Sequence, residues 1–411
     1  MAAPTLENWE MTAALNDLTV WLIQQGLENK PVEIWLETCC TRLVAAGIPL
    51  LRVNVAMQAH HPEIGALAFR WLRDGQNERE EFHRSAETQE DFLRSPIYYL
   101  LSNNTEEIRQ NLTVPDPALN FPIFDDLREL GATDYIAVKR FFLLDDDATA
   151  VDPTQDEEGV IISLITDAPD GFTDAHLDGL RQLLPPLCLT LKSAANRQMA
   201  EDITAAYLGR DASKRVLSGD IIRGSSQTIS AVIWDFDLKG FTKLSETLPG
   251  TAIIDMLNDY FAVAVDVVDG HGGNVLKFMG DGLLAIFDMD QIPDARRVAI
   301  EAALELRDAF VPLNEQRAGD GLTTTDFTLA LHAGDVLYGN IGGKTRLDFT
   351  VIGPAVNTTS RILGMCNAVD QPIVISAKVA APLLESIPNL VSLGQYRLRG
   401  VRDRQELFTL D

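Results

Sequence analysis

The chain has 411 residues, enough for two or three domains that each bury a core. Its formal net charge of −26 disfavours binding to nucleic acid or to anionic lipid. The sequence has no apolar run of about 18 residues or more, and Met1–Glu10 lacks a basic region followed by an apolar stretch. We therefore expect no membrane span and no secretory signal, and the cytoplasm is the expected location.

The first 185 residues predict a domain that mixes helices and strands. Apolar residues at helical spacing indicate two helices between about residues 12 and 46. Thr173 predicts the N-cap of a closing helix, and the acidic segment Asp145–Glu158 predicts a loop. Strand-like runs lie between these helices, at Leu50–Met57, Leu67–Trp71, Tyr135–Leu144 and Gly159–Ile165. This order of elements resembles GAF-type regulatory domains, which implies an α+β sensor of an unknown small-molecule or redox signal.

The cysteines match neither a disulfide framework nor a zinc site, so we expect four buried, reduced thiols: Cys39, Cys40, Cys188 and Cys366. The adjacent pair Cys39 and Cys40 leaves a redox or metal sensor open as an alternative. The only histidine pair, His60–His61, precedes a proline and predicts an exposed turn, with a part of a metal or ligand site as its alternative.

Residues 186–224 predict a helical linker. Met199, Ile203 and Tyr207 continue an apolar stripe from the preceding helix. A narrow apolar seam of this kind is typical of a helix that pairs with its twin in a dimer. Packing of the same seam on its own domain is the alternative.

From residue 225 onward, the pattern is strand, helix, hairpin, helix, two strands and a further helix. A β-rich run ends in the carboxylate of Asp237 and is followed by a glycine-containing turn. The segment Asn274–Phe287 predicts a β-hairpin with Asp281 at its tip. Two carboxylates that meet in this way can hold two hard cations. Capping of a turn and of a helix by these aspartates is the structural alternative.

Four ordered motifs in this region resemble the catalytic domain of class III nucleotide cyclases, and the resemblance covers about residues 228–410. The motifs are Phe236–Thr242, Lys277–Gly282, His332–Gly342 and Asp348–Arg361. The resemblance implies a palm-like, ferredoxin-type core of α+β fold and a head-to-tail homodimer with its sites at the interface. It also implies a cyclisation in which the ribose 3′-hydroxyl attacks the α-phosphate and pyrophosphate leaves.

By this resemblance, Asp237 and Asp281 bind two Mg²⁺ or Mn²⁺ ions. Asn357 orients the nucleotide, and Arg361 stabilises the charge that develops on the α-phosphate. Asn357 and Arg361 are four residues apart, so both side chains lie on one face of a predicted helix. A surface ion pair is the alternative role of Arg361. His332 is expected to be a packed strand histidine, so we assign no general base.

Lys277 and Thr350 occupy the positions that contact the purine in the family. Lysine only donates hydrogen bonds, and adenine N1 accepts one whereas guanine N1 carries a proton, so Lys277 favours ATP. The Lys/Thr pair resembles the class IIIb subgroup, although a threonine hydroxyl can also donate to guanine O6. Asp348 is expected to lie too far along the strand to replace Thr350 directly. Arg399 matches the late basic position that holds the terminal phosphates, with Arg402 as a competing candidate.

The sequence therefore predicts a GAF-like regulatory domain at residues 1–185, a helical linker at 186–224 and a cyclase domain at 225–411. The expected activity is that of a homodimeric adenylate cyclase with two Mg²⁺ or Mn²⁺ ions in each site. Guanylate cyclase and a non-catalytic nucleotide-binding dimer remain the alternatives.

Overall fold

The computed structural model describes residues 6–59, 64–75, 77–83, 90–103, 105–114, 119–142 and 159–411. The chain divides into two compact units, residues 1–203 and 204–411. The predicted linker is therefore shared between the two units. The expected turn at His60–His61 and the expected loop Asp145–Glu158 lie outside the described residues. In the described ranges, no helix is long and apolar enough to cross a membrane.

The N-terminal unit builds a six-stranded antiparallel sheet with the strand order β3-β2-β1-β6-β5-β4. In chain order its elements are α1 (Leu6–Leu27), α2 (Val32–Ala45), β1 (Leu50–Gln58), β2 (Ile64–Leu72), β3 (Glu78–His83), α3 (Glu90–Leu93), α4 (Pro96–Ser102), β4 (Glu107–Asn111), α5 (Ile123–Glu129), β5 (Asp134–Phe141), β6 (Gly159–Thr166) and α6 (Asp174–Leu208). The α+β mixture predicted for this part of the chain is thus present.

The core of the N-terminal unit lies between one face of its sheet and the helices α1, α2 and α6. Leu22, Trp35 and Val55 are among its fully buried side chains. The start of α6 follows the predicted cap, since the His176 N–H donates to the Thr173 hydroxyl at 3.3 Å. Helices α4 and α5 supply a second apolar cluster on the opposite face of β4, β5 and β6.

All four cysteines are free and buried, which confirms the expectation of buried thiols. Burial raises the pKa of Cys39 to about 12 and that of Cys188 to about 11. These thiols therefore stay protonated near neutral pH, and a protonated, buried thiol is a poor nucleophile. Burial therefore disfavours the redox-sensor alternative for Cys39 and Cys40.

The C-terminal unit builds an eight-stranded sheet with the order β13-β14-β12-β10-β7-β9-β8, and β11 pairs with β10. Its elements are α7 (Arg210–Leu217), β7 (Ser226–Leu238), α8 (Phe241–Thr247), α9 (Gly250–Gly270), β8 (Asn274–Met279), β9 (Gly282–Asp288), α10 (Ala295–Gly319), β10 (Phe327–Gly342), β11 (Leu347–Ile352), α11 (Pro354–Leu363), α12 (Cys366–Val369), β12 (Ile373–Ser376), α13 (Ala377–Ala380), a 3₁₀ turn (Ala381–Leu383), β13 (Leu390–Tyr396) and β14 (Gln405–Leu410).

Side chains alternate between two covered faces of this second sheet. Trp234 and Phe236 of β7 point into the core formed with α9 and α10. Ala231 and Ile233 point to the other face, where α7, α11 and the β10–β11 hairpin pack. All of the sheet pairings are antiparallel except that of β10 with β12. The helix and hairpin order predicted for residues 225–411 is confirmed.

Candidate active site

Asp237 lies near the end of β7, beside the turn that joins β8 to β9. In the β7–β9 register Asp237 is opposite Gly282, the residue after Asp281. The Leu238 N–H donates to the carbonyl oxygen of Asp281 at 3.1 Å, which ties the strand end to the turn. The structure therefore brings together the two aspartates that the sequence predicts as metal ligands.

Two glycines permit this close approach. Gly280 has a φ of +70°, a conformation that suits glycine because it has no Cβ. A Cβ on Gly282 would lie 2.8 Å from the carbonyl oxygen of Phe236 and 3.1 Å from Oδ1 of Asp237. The hairpin can therefore reach the Asp237 carboxylate only because position 282 carries no side chain.

The electrostatics of this acid pair, Asp237 and Asp281, are unfavourable without a cation. Burial, and secondly the neighbouring charge of Asp281, together raise the pKa of Asp237 to about 6. Both causes act on the carboxylate because its charged form is poorly solvated and repelled. A bound cation would relieve both effects.

The acid pair fits divalent ions that arrive together with a nucleotide. In the described part of the chain, no cluster of three or more His, Cys, Asp or Glu side chains is arranged to hold a metal. Mg²⁺ is commonly held by one or two carboxylates plus substrate phosphates, and a dedicated protein cage is unusual for it. Two adjacent carboxylates therefore match the donor set that Mg²⁺ or Mn²⁺ needs from the protein.

A third carboxylate, Asp235, lies on the same face of β7, and the sequence reasoning missed it. Alternation along a strand puts Asp235 and Asp237 on one side, so the spacing already contained this signal. Asp235 is only 5% exposed and lies between Leu284 of β9 and Ala330 of β10. Burial raises its pKa to about 7, with the charge of Asp237 as the second cause.

Replacement of Asp235 by asparagine should stabilise the metal-free protein at pH 8. The pKa of Asp235 is higher in the folded state than in the unfolded state, so the free energy of unfolding falls as the pH rises from about 4 to about 7. The pKa change from 3.8 to about 7 corresponds to a loss of about 4 kcal/mol in that free energy. We expect thermal unfolding in EDTA to show a clear rise in Tm at pH 8 and little change at pH 4.

Asp290→Asn is the matched control, because Asp290 is exposed just after β9. It should leave Tm unchanged at both values of pH. An Asp235→Asn protein that is no more stable than the wild type at pH 8 would show that the carboxylate is not strained by burial.

The predicted purine-contacting residue Lys277 is held by an ion pair. Its ammonium nitrogen lies 2.8 Å from Oδ2 of Asp348 on β11. The two residues meet because the β10–β11 hairpin packs over β8. Phe349 of β11 and Leu276 of β8 lie in one apolar cluster there. Asp348 thus lies beside Lys277, a contact that the sequence reasoning did not predict.

Thr350 lies two residues beyond Asp348 on the same strand. It is buried, and its hydroxyl oxygen has no hydrogen-bond partner. A buried hydroxyl without a partner is costly, so such a group calls for an explanation. A substrate that hydrogen-bonds to this hydroxyl would provide one.

Helix α11 presents the predicted phosphate-contacting residues. Gly353 and Pro354 begin the helix, and its buried face carries Ala355, Thr359 and Ile362. Asn357 and Arg361 are exposed on the other side. In the described ranges, the Arg361 guanidinium forms no ion pair or hydrogen bond with another side chain.

Arg399 and Arg402 both lie in the connection between β13 and β14 and are both exposed. The structure does not favour one over the other as a phosphate ligand. Neither side chain forms an ion pair with any described residue. The preceding residue, Leu398, is buried and anchors this connection to the sheet.

His332 is buried in β10, as predicted. Its Nδ1 lies 2.8 Å from the hydroxyl of Ser376. Burial lowers the pKa of His332 to about 4, with the charge of Lys378 as the second cause. The ring is therefore neutral near pH 7 and has a packing role.

The acid pair and the basic groups are not joined within one chain. No hydrogen bond or ion pair links Asp237 or Asp281 to Lys277, Arg361 or Arg399 in the part of the chain that the structure describes. Both causes that shift the pKa of Asp237 are unfavourable to its charge, and neither is a cation.

Comparison with known proteins places this unit in a family. The family model of the adenylate and guanylate cyclase catalytic domain matches residues 225–411. The adenylate cyclase of Anabaena cylindrica is 34% identical over 174 residues, which cover 41% of this chain and 34% of that protein. Adenylate cyclase 1 of Rhizobium meliloti is 27% identical over 198 residues, with coverage of 47% and 29%. The chain thus spans about a third of the length of these curated relatives.

Solved structures of cyclases are also similar. The adenylyl cyclase CyaB from P. aeruginosa is 26% identical and has a TM-score of 0.43, over 46% of this chain and 96% of that chain. The guanylyl cyclase Cya2 is 29% identical with a TM-score of 0.40, over 45% and 93%. The residues that match the family model include the acid pair, Lys277 and the whole of α11. By this match, the chain carries an adenylate and guanylate cyclase catalytic domain at residues 225–411.

Proposed function

We propose that this protein is an adenylate cyclase that converts ATP to 3′,5′-cyclic AMP and pyrophosphate between two copies of the chain. The observation that carries the proposal is the convergence of Asp237 and Asp281 at one strand end, without a cation from the same chain. In the reaction, the ribose 3′-oxygen forms a bond to the α-phosphorus. The bond from that phosphorus to the β-phosphate oxygen breaks, pyrophosphate leaves, and the hydroxyl proton passes to solvent.

The chain's own residues would supply position and charge. Asp237 and Asp281 would hold two Mg²⁺ or Mn²⁺ ions, which neutralise the triphosphate and acidify the attacking hydroxyl when bound. Arg361 of the second copy would donate its planar fork to the oxygens of the α-phosphate, where negative charge grows. Asn357, one helical turn before it, would fix the ribose, and Arg399 would hold the terminal phosphates.

The base-reading groups favour adenine. Asp348 holds the Lys277 ammonium by an ion pair, and this donor would hydrogen-bond to N1 of a bound adenine. The partnerless Thr350 hydroxyl can accept a hydrogen bond from the 6-amino group of adenine. A hydroxyl can also donate to guanine O6, so Lys277 supplies most of the expected discrimination.

Assembly from two copies is supported by exposed apolar side chains near both halves of the site. Phe278 and Met279, just before the acid turn, are 52% and 44% exposed. Leu337 and Ile352 form a cross-strand pair on β10 and β11 and are 49% and 48% exposed. Large apolar side chains that remain exposed in this way are typical of protein interfaces. We further propose that the N-terminal unit regulates the enzyme.

Turnover of ATP and GTP by the purified full-length chain tests the proposal. We expect cyclic AMP and pyrophosphate in equal amounts with Mg²⁺ or Mn²⁺, and a higher kcat/KM for ATP than for GTP. A higher value for GTP would replace the proposal with guanylate cyclase activity. Binding of ATP without any cyclic product, under all of these conditions, would leave a nucleotide-binding dimer.

Lys277→Ala should lower kcat/KM for ATP by about 10- to 100-fold, because a hydrogen bond from a charged donor contributes about 1.5–3 kcal/mol. The value for GTP should change less, so the ratio of the two measures base recognition. Lys214→Ala, at an exposed position on α7, is the control and should leave both values unchanged. Equal losses for ATP and GTP would argue against a role of Lys277 in reading the base.

A further inference from the structure

One face of the N-terminal sheet carries buried polar atoms that have no hydrogen-bond partner among the described residues. They are Nε of Arg52, Oε1 of Gln58 and Nε of Arg70. Arg52 and Gln58 lie on β1, and Arg70 lies on β2 opposite Asn54. Val53, Val55 and Met57 point into the core with α1, α2 and α6, so alternation places the three atoms on the opposite face.

Small side chains separate Arg52 and Arg70 from Gln58 on this face. Ala56 is opposite Ala68 across the β1–β2 pair, and Gln58 is opposite Ala66. Ala68 is buried, whereas Ala56 and Ala66 are partly exposed. A small molecule that reaches both Arg52 and Gln58 would therefore contact these two small side chains.

The two arginines differ in how their charge is balanced. Arg70 forms ion pairs with Glu78 at 2.6 Å and with Glu80 at 3.2 Å. Arg52 forms no ion pair and donates no hydrogen bond to any residue in the described ranges. Burial lowers the pKa of Arg52 and the charge of Arg70 lowers it further, whereas Tyr135, Glu78 and Asp126 have smaller effects in the opposite direction. Arg52 is thus a half-buried cation beside a second cation, in a chain of net charge −26.

Other hydrogen-bonding groups surround Arg52 on neighbouring strands. Asn54 of β1 is opposite Ser163 of β6, which hydrogen-bonds to Tyr135 of β5. A guanidinium presents several N–H groups in a planar fork that matches a carboxylate or a phosphate. A half-buried guanidinium without a direct ion pair among the described residues is costly, and an oxyanion is a partner that would offset this cost.

We propose that Arg52 binds the oxyanion of a small molecule on this face of the N-terminal sheet, with Gln58 accepting a hydrogen bond from another part of the same ligand. The oxyanion is a carboxylate or a phosphate group. The site lies wholly within the N-terminal unit and does not depend on the proposed cyclase activity.

Thermal unfolding of the full-length chain tests the site, with sodium acetate and sodium phosphate as probes and NaCl added to keep the ionic strength constant. We expect one of the two probes to raise Tm in a saturable way, which also distinguishes a carboxylate from a phosphate ligand. Arg52→Gln should weaken the apparent affinity about tenfold or more, because charge-assisted hydrogen bonds are lost. Arg79→Gln, at an exposed position on β3, should behave as the wild type does.

Arg52→Lys covers the case in which Arg52→Gln does not fold. It keeps the charge but loses the planar fork, so its affinity should also fall below that of the wild type. The proposal is overturned if neither probe stabilises the wild type. It is also overturned if the lysine and glutamine variants respond to the probes as the wild type does, since the anion would then bind elsewhere.

Discussion

Asp237→Asn should lower the turnover of ATP about a thousandfold or more while the protein stays folded. Removal of one carboxylate from a pair that holds the catalytic ions costs several kcal/mol in the transition state. The side chain is half-buried at a strand end and makes no hydrogen bond within the described chain, so asparagine fits without a packing change. The measurement is cyclic AMP formation at saturating Mn²⁺, together with Mn²⁺ binding followed by electron paramagnetic resonance.

The matched control is Asp288→Asn, at the far end of β9 from the acid turn. This variant should keep both turnover and Mn²⁺ affinity. Near-normal activity in Asp237→Asn would contradict the metal assignment. Loss of activity with unchanged Mn²⁺ affinity would move the role of Asp237 from ion binding to contact with the nucleotide.

A mixture of two inactive variants should recover activity if each site draws on both copies. Asp237→Asn lacks a carboxylate, and Arg361→Gln lacks the phosphate-binding fork. A heterodimer of the two combines both defects in one site and leaves the other site intact. Random pairing makes half of the dimers heterodimers, so about one quarter of the wild-type activity should return. Cyclic AMP formation after mixing and equilibration measures this recovery.

The double variant, Asp237→Asn with Arg361→Gln on one chain, provides the control. Its mixtures with either single variant contain no intact site and should stay inactive. No recovery in the first mixture would show that the acid pair and Arg361 do not meet across two copies. Recovery in the control mixtures, which lack Asp237 or Arg361 on every chain, would show that the recovered activity does not come from complementation.

Much of the C-terminal unit could be predicted from the sequence because its patterns are local. The helical spacing of Met256, Tyr260 and Ala264 matches the buried face of α9. The acid turn was predictable because glycines on both sides of Asp281 favour a tight hairpin. These features depend on residues that are close together along the chain.

Contacts between distant segments were not predictable in the same way. Lys277 and Asp348 are 71 positions apart, and they meet because the β10–β11 hairpin packs over the sheet. Strand β3 of the N-terminal unit was missed because all six of its residues are exposed and most are charged. Its register with β2 places Glu78 and Glu80 beside Arg70, so ion pairs replace the alternating apolar pattern of a buried strand.

Strand β10 limits how the proposed cyclase activity could be controlled. It is one strand of 16 residues that pairs along β7 and then along β11. Strand β7, which carries Asp237, and strand β11, which carries Thr350, are therefore both hydrogen-bonded to the same strand. A change of their spacing inside one copy would break backbone hydrogen bonds, whereas a rotation of one copy against the other breaks none of them. We therefore expect an activating or inhibiting signal to rotate one copy of the C-terminal unit against the other and to leave each copy internally unchanged.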